Sequence, residues 1–175
     1  SCPIVVTVNS LPVATISPAP TSAICAGDSS VLTASASGAN PFTYQWMTSG
    51  VAIASATAPT YTAQTSGVYS VKVTDNNGCQ LITSNTTLTV NALPLAPTAS
   101  ITQPDCTTAT GTIAVTSTIN SGDTFSIDGV TYTNTTGSFT GVIPGVYNVT
   151  TKNTTGCISA ATAVVVNAPP APAIA

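Results

Sequence analysis

The chain has no arginine, no glutamate and no histidine, and its only charged side chains are Lys72, Lys152, Asp28, Asp75, Asp105, Asp123 and Asp128. Each absence excludes a class of chemistry. Without histidine no Ser–His–Asp triad can form, and an acid–base pair would have to come from scattered aspartates, so no enzyme is expected. A surface with two lysines holds no phosphate-neutralising patch, which excludes nucleic-acid binding. The weakly acidic balance argues against anionic membranes. No run approaches the roughly 20 apolar residues that span a bilayer, so membrane insertion is not expected. No charged opening followed by an apolar core begins the chain, so a signal peptide is expected to be absent or already removed. Five cysteines with no histidine and no C-x-x-C pair do not make a zinc site. Neither a metal nor a cofactor is expected. No stretch sustains a 3.6-residue apolar period, so helices are not expected either.

What is present is a repeat. Gly67-Val68-Tyr69-Ser70-Val71 is followed by Asp75-Asn76-Asn77-Gly78-Cys79, and Gly145-Val146-Tyr147-Asn148-Val149 by Asn153-Thr154-Thr155-Gly156-Cys157. In both copies the cysteine stands ten positions after the tyrosine, and the copies lie 78 residues apart. A fixed period of this kind marks an array of one supersecondary unit. The apolar mass is mostly Ala, Val and Ile, and Thr, Ser and Asn must supply solubility. In the first copy, Val31–Ala36, Phe42–Met47, Thr60–Ala63, Val68–Val73 and Thr87–Val90 read as strands. Phe42, Tyr44 and Trp46 share one face; Thr43, Gln45 and Met47 share the other. Asn76-Asn77-Gly78 is a tight-turn signal, since Asn and Gly tolerate positive φ. Short strands with turns at close intervals imply antiparallel sandwiches.

The expected fold is therefore all-β, with two tandem Ig-like antiparallel β-sandwich domains at 21–92 and 98–168 and an extra N-terminal strand. Residues 1–17 would hold that strand and 169–175 a proline-rich linker. Ser1–Asn9 match the end of a repeat, Cys then an alternating run closing on Val-Asn, as in Leu88-Thr89-Val90-Asn91 and Val164-Val165-Val166-Asn167. This strand, with Ile4, Val5, Val6 and Val8 as its assembly residues, would end an upstream repeat, pack on its own domain, or complete a neighbouring subunit. Pro12, Pro18 and Pro20 read as a stiff joint, as do Leu93–Pro97 and Pro169–Pro172, because proline stops strands.

Trp46 on a central strand, with Gly67-x-Tyr69-x-Val71 on the penultimate one, resembles the immunoglobulin sandwich. Tyr69 stands where that fold has its corner tyrosine, and Tyr147 repeats it. The cysteine expected two residues after the tyrosine is Val71 instead. The unit Ile24-Cys25-Ala26-Gly27 … Tyr44-Gln45-Trp46 … Gly67–Val71 … Asp75–Cys79 is similar to the bacterial Ig-like repeats of Bacteroidetes surface proteins. The second unit is similar to the repeats of gliding-type adhesins, through Asp105-Cys106, Gly111–Val115, Phe125–Gly129 and Gly145-Val146-Tyr147. It has no tryptophan, and Phe125 is nearest to that role. The resemblance implies export to the bacterial cell surface, with the type IX route as the candidate pathway. It implies a role in long adhesins or filaments.

Cysteines at a repeated position in a charge-poor, threonine-rich chain indicate disulfides and an oxidising, extracellular compartment. The disulfide candidates are Cys2, Cys25, Cys79, Cys106 and Cys157. One pattern pairs within units, Cys25–Cys79 and Cys106–Cys157, where closing such a loop would stabilise by roughly 4 kcal/mol. In an Ig topology, however, the two cysteines of a unit fall at opposite ends of a strand about 20 Å long. A bridge needs Cα atoms within about 7 Å. The other pattern joins Cys25 to Cys157 and leaves Cys2, Cys79 and Cys106 to units or subunits outside the chain. Asp123 with Asp128, and Asp75–Gly78, could offer oxygens to calcium, but Asp and Asn in turns cap their own backbone. Asn85, Asn134, Asn148 and Asn153 stand in N-x-T sequons. Two functions follow. One is a structural repeat of an extracellular surface fibre, partnered by neighbouring repeats or identical subunits. The other is a carbohydrate- or protein-binding module of a secreted adhesin.

Overall fold

The computed structural model describes residues 3–4, 7–18 and 21–171. Alternation of β-branched with small polar residues yields strands and turns, and no helix occurs among the described residues. The chain divides at Asn91/Ala92 into two units.

The first unit contains β1 Val13–Ser17, β2 Thr21–Cys25, β3 Ser30–Ser37, β4 Thr43–Thr48, β5 Val51–Ala52, β6 Thr60–Ala63, β7 Gly67–Thr74, β8 Gln80–Ile82 and β9 Thr86–Asn91. One sheet has the order β1-β3-β6 and the other β2-β9-β7-β4-β5, with β8 also paired to β7. All pairs are antiparallel except β2 with β9, which run parallel from Thr21↔Thr87 to Cys25↔Asn91. Leu32, Ala34 and Ala63 from the first sheet meet Trp46, Tyr69, Val71, Val73 and Leu88 from the second, and these form the core. The Tyr61 ring stands between those of Trp46 and Tyr69, with centroids 5.9 and 5.8 Å away, in the tilted arrangement that aromatic quadrupoles favour. Trp46 Nε1 donates to the Ala58 carbonyl at 2.9 Å, so the largest buried side chain leaves no orphan donor.

Met47, on the face of β4 opposite Trp46, is also buried. That face is not left to solvent: β5 pairs back onto Met47 and Thr48, and Gln45 Nε2 holds the following loop through the Ile53 carbonyl at 2.8 Å. Of the run 1–9, residues 3–4 and 7–9 are described. Among the described residues there, none is in a strand, and Ile4 and Val8 are about nine-tenths exposed. Cys2, Val5 and Val6 lie outside the described residues. The strand is β1, within what reads as a proline joint, and it pairs with β3 of its own unit. Pro12 and Pro18 flank this edge strand without interrupting its ladder, where their missing N–H groups cost little. Ala14 and Ile16 then face the core while Val13 and Thr15 face outward.

The second unit contains β10 Ala99–Thr102, β11 Gly111–Val115, β12 Thr124–Ser126, β13 Ser138–Val142, β14 Gly145–Lys152 and β15 Thr162–Val166. Its sheets are β10-β11-β13 and β12-β14-β15. Ile113 and Val142 pack with Val149, Val164 and Val166, and Phe125, on β12 opposite Thr151 of β14, is fully buried. Gly111 has no room for a side chain: a Cβ there would lie 2.7 Å from the Thr102 carbonyl oxygen and 2.9 Å from a Val166 methyl. Both units are thus two-layer sandwiches, antiparallel but for the β2–β9 pair, with β14 and β15 repeating β7 and β9.

Candidate functional site

The repeated motif builds the same two devices in each unit. The first is a tyrosine folded back onto its own chain. Tyr69 Oη donates to the Thr65 carbonyl at 2.8 Å, and Tyr147 Oη to the Ile143 carbonyl at 2.9 Å. In each case the acceptor is four residues upstream, which is the corner geometry of the immunoglobulin sandwich. The ring lies over the glycine two residues before it: a Cβ at Gly67 or Gly145 would sit 3.4 Å from the ring edge, in ordinary van der Waals contact.

The second device is the turn that presents the cysteine. Asp75 Oδ1 accepts the N–H groups of Asn77 and Cys79, both at 2.9 Å; Asn153 Oδ1 accepts those of Thr155 and Cys157 at 3.1 and 2.9 Å. The backbone closes identically, Asp75 N to Cys79 O and Asn153 N to Cys157 O, each at 3.0 Å. Gly78 and Gly156 take the left-handed step, with φ of 81° and 87°. An Asx turn therefore occupies Asp75 Oδ1 and Asn153 Oδ1, while Asp75 Oδ2 is buried without a hydrogen-bond partner. A further pair went unnoticed in the sequence: Thr83 Oγ1 and Ser159 Oγ accept the Val71 and Thr151 N–H groups where the ladder is interrupted. A hydroxyl two to four residues after the cysteine is the signal.

The other cysteine of each unit lies by the exit of the last strand. Cys25 is registered opposite Asn91 at the end of β9. Cys106 Sγ lies 3.9 Å from the carbonyl of Pro170, three residues past Asn167, which closes β15's Val-Asn motif as Asn91 closes that of β9. Since Gly67 pairs with Leu88 and Gly145 with Val166, this exit is at the glycine end of β7 and β14. Cys79 and Cys157 follow the opposite end, eight strand residues away, or roughly 25 Å at the rise of a β-strand. Cys25 and Cys157 are disulfide-bonded, whereas Cys79 and Cys106 carry free thiols. Neither within-unit bridge is formed: Cys25–Cys79 and Cys106–Cys157 are corrected by the length of one strand, which exceeds the reach of a disulfide.

The units differ at one sheet edge. In the first, β2 covers β9 along five residues. In the second, no strand occupies that position, and a side chain does part of its work. Gln103 Nε2 donates to the Val165 carbonyl at 3.0 Å, and its Oε1 accepts the Asn167 N–H at 2.8 Å. Gln103 thus imitates one residue of a parallel partner strand. Gln103-Pro104 was the sequence signal, because proline cannot donate to a ladder.

Little else in the molecule offers chemistry. No group of three His, Cys, Asp or Glu converges among the described residues. Asp123 accepts from the Asn120 side chain and N–H, and Asp128 from Ser126 and from the Val130 and Thr131 N–H groups, so each serves its own turn. The Ser126 hydroxyl, with those N–H groups, holds the Asp128 carboxyl far below the usual range. Asp105 is lowered likewise by the Thr107 hydroxyl and the Thr107 and Thr108 N–H groups. Of the sequon residues, Asn134 spends its amide inside its own turn, and Asn153 accepts within its turn through Oδ1 while its Nδ2 donates to the Ala92 carbonyl at 3.3 Å. A groove of about 310 Å³ lies between Ile127, Asp128, Asn134 and Phe139. Trp46, Tyr61 and Tyr69 are used as core and leave the first unit without an exposed aromatic platform.

No family model and no curated protein matches the sequence. Among solved structures, the chain is similar to the fibronectin(III)-like modules of Clostridium thermocellum CbhA, at 18% identity and a TM-score of 0.52, over 90% of this chain and 94% of that one. It is also similar to Sidekick-1 immunoglobulin domains 1–5, at 14% identity and a TM-score of 0.42, and to a Bacteroides ovatus SGBP-B solved with a mixed-linkage heptasaccharide, at 16% and 0.38. These matches span 89% and 92% of this chain but 38% and 48% of those. The likeness to the fibronectin-like modules shows the fold, a β-sandwich of the immunoglobulin and fibronectin III kind.

Proposed function

We propose that this chain is a non-catalytic structural segment of an extracellular fibre on a bacterial surface, of the Bacteroidetes adhesin kind, acting in adhesion or cell-surface architecture. Its partners are neighbouring repeats or further copies of itself. The observation that carries this reading is the recurrence, atom for atom, of the tyrosine corner and the cysteine-presenting turn in both units. A ligand site needs to be built once; two equivalent scaffolds with a cysteine at each end suit a repeated, load-bearing array. The disulfide-bonded Cys25 and Cys157 support an oxidising location. The surface carries almost no charge to steer a polyanion or a lipid headgroup.

The second reading, a glycan- or protein-binding module, is favoured by the groove at Ile127 and Phe139. Electron microscopy of the purified chain, alongside a glycan array, separates the two. Ordered fibres are expected. Isolated monomers with reproducible glycan binding that Phe139→Ala abolishes would overturn the structural reading.

A further inference from the structure

Among the described residues, the free thiols Cys79 and Cys106 are the repeat images of the bonded sulfurs Cys157 and Cys25. Cys79 sits in the turn that Asp75 ties, and Cys157 in the matching turn that Asn153 ties. Cys106 lies beside the exit of its unit's last strand, as Cys25 does. Cys25 and Cys157, one of each kind, are disulfide-bonded, which shows that both positions present sulfur in a bondable geometry. Cys79 and Cys106, again one of each kind, are left with free thiols. Within a unit, the length of β7 or β14 keeps the two kinds roughly 25 Å apart, so the partner of each must come from another unit. Cys106 is exposed and Cys79 is partly exposed, and both can be reached from outside.

We infer that Cys106 of one copy forms a disulfide with Cys79 of the next, linking copies of this chain covalently into a head-to-tail polymer. The inference rests on the structural reading above and names the bond that would hold the fibre. The oxidant is a small-molecule disulfide such as oxidised glutathione. The ionised sulfur of one protein cysteine attacks it, one thiolate leaves and a mixed disulfide forms. The second protein sulfur attacks the protein sulfur of that bond and expels the other thiolate. Two protein thiols and one small disulfide thus become one protein disulfide and two small thiols, with no electrons unaccounted for. Because the joined cysteines are of different kinds, each copy carries one donor and one acceptor end, the heterologous arrangement that generates open filaments.

The test uses the full chain, purified without reductant and incubated with oxidised glutathione. A ladder of dimers, trimers and longer species is expected on a non-reducing gel, collapsing to monomer with dithiothreitol, and peptide mapping should recover a Cys79–Cys106 peptide. Cys79→Ser and Cys106→Ser are each expected to stay monomeric alone, while their equimolar mixture gives a dimer that grows no further. Cys2→Ser should leave the ladder intact. No ladder, a ladder that Cys2→Ser removes, or symmetric Cys79–Cys79 and Cys106–Cys106 peptides would overturn the inference. Fibres that persist in the Cys79→Ser/Cys106→Ser double variant would also overturn it while leaving the fibre reading standing. A ladder with the expected linkage but no fibres by microscopy would support the bond and remove the fibre reading.

Discussion

The two units share a skeleton and fill it differently. In the first, three aromatic rings in a row, Trp46, Tyr61 and Tyr69, occupy the space between the sheets. In the second, branched aliphatics do so, with Phe125 as the large buried ring, and the corner tyrosine Tyr147 is only partly covered. The first closes its last strand with a complete parallel strand, and the second with one glutamine. The turn that carries the cysteine is the same in both. The backbone devices are therefore held while the core and the edge are free to vary. Turn geometry has few solutions, whereas a core of suitable volume has many.

The largest effect is expected where the cores differ most. Trp46→Ala should cost about 3–5 kcal/mol, from lost burial, the cavity and the orphaned Ala58 carbonyl. Chemical denaturation followed by amide NMR should show the first unit's transition moving and the second's staying. Movement of both together would show that the units do not fold independently and would break the comparison. Gln103→Ala should be milder, about 1 kcal/mol, since exposed hydrogen bonds are worth little net. Its signature is local: faster hydrogen exchange at the Asn167 amide, with Asn91 in the first unit unaffected. Unchanged exchange at Asn167 would show that Gln103 does not protect that edge.

The smallest effect concerns acid. Asp105 and Asp128 both have folded values lowered by hydroxyl and N–H donors, and both belong to the second unit. A depressed carboxyl contributes stability above its ordinary value, near pH 4, and that contribution is lost as pH falls from there toward the folded value. Both groups are fully exposed, so the loss is small. The second unit's thermal midpoint should drop between pH 5 and 2 by less in Asp128→Asn than in the parent chain. An identical drop in both proteins would remove Asp128 from the account.

Much of this was readable in the chain. Alternation located the strands at Ser30–Ser37, Thr60–Ala63, Gly67–Thr74 and Thr86–Asn91, because the period of a strand is written directly in which residues are apolar. The glycine-tyrosine and Asx-Gly-Cys spacing located the corners and the turns, because those are local hydrogen bonds between near neighbours. Less readable were β2, β5 and β8, which are short and owe their existence to the strand beside them. The burial of Met47 depends on a loop that alternation cannot foresee. The proline-flanked β1 was misplaced because proline disfavours strand interiors and is tolerated at an edge, and edge status belongs to the sheet.

Composition alone set what the protein lacks: it has no histidine, arginine or glutamate, and two lysines. The period alone set its modular plan, since equal spacing of glycine, tyrosine and cysteine can only arise from equivalent units. Which sulfurs bond and which remain thiols was decided by tertiary structure. That outcome turns on the distance between the ends of a strand, and the sequence separation of two cysteines says nothing about whether their sulfurs can come within bonding reach.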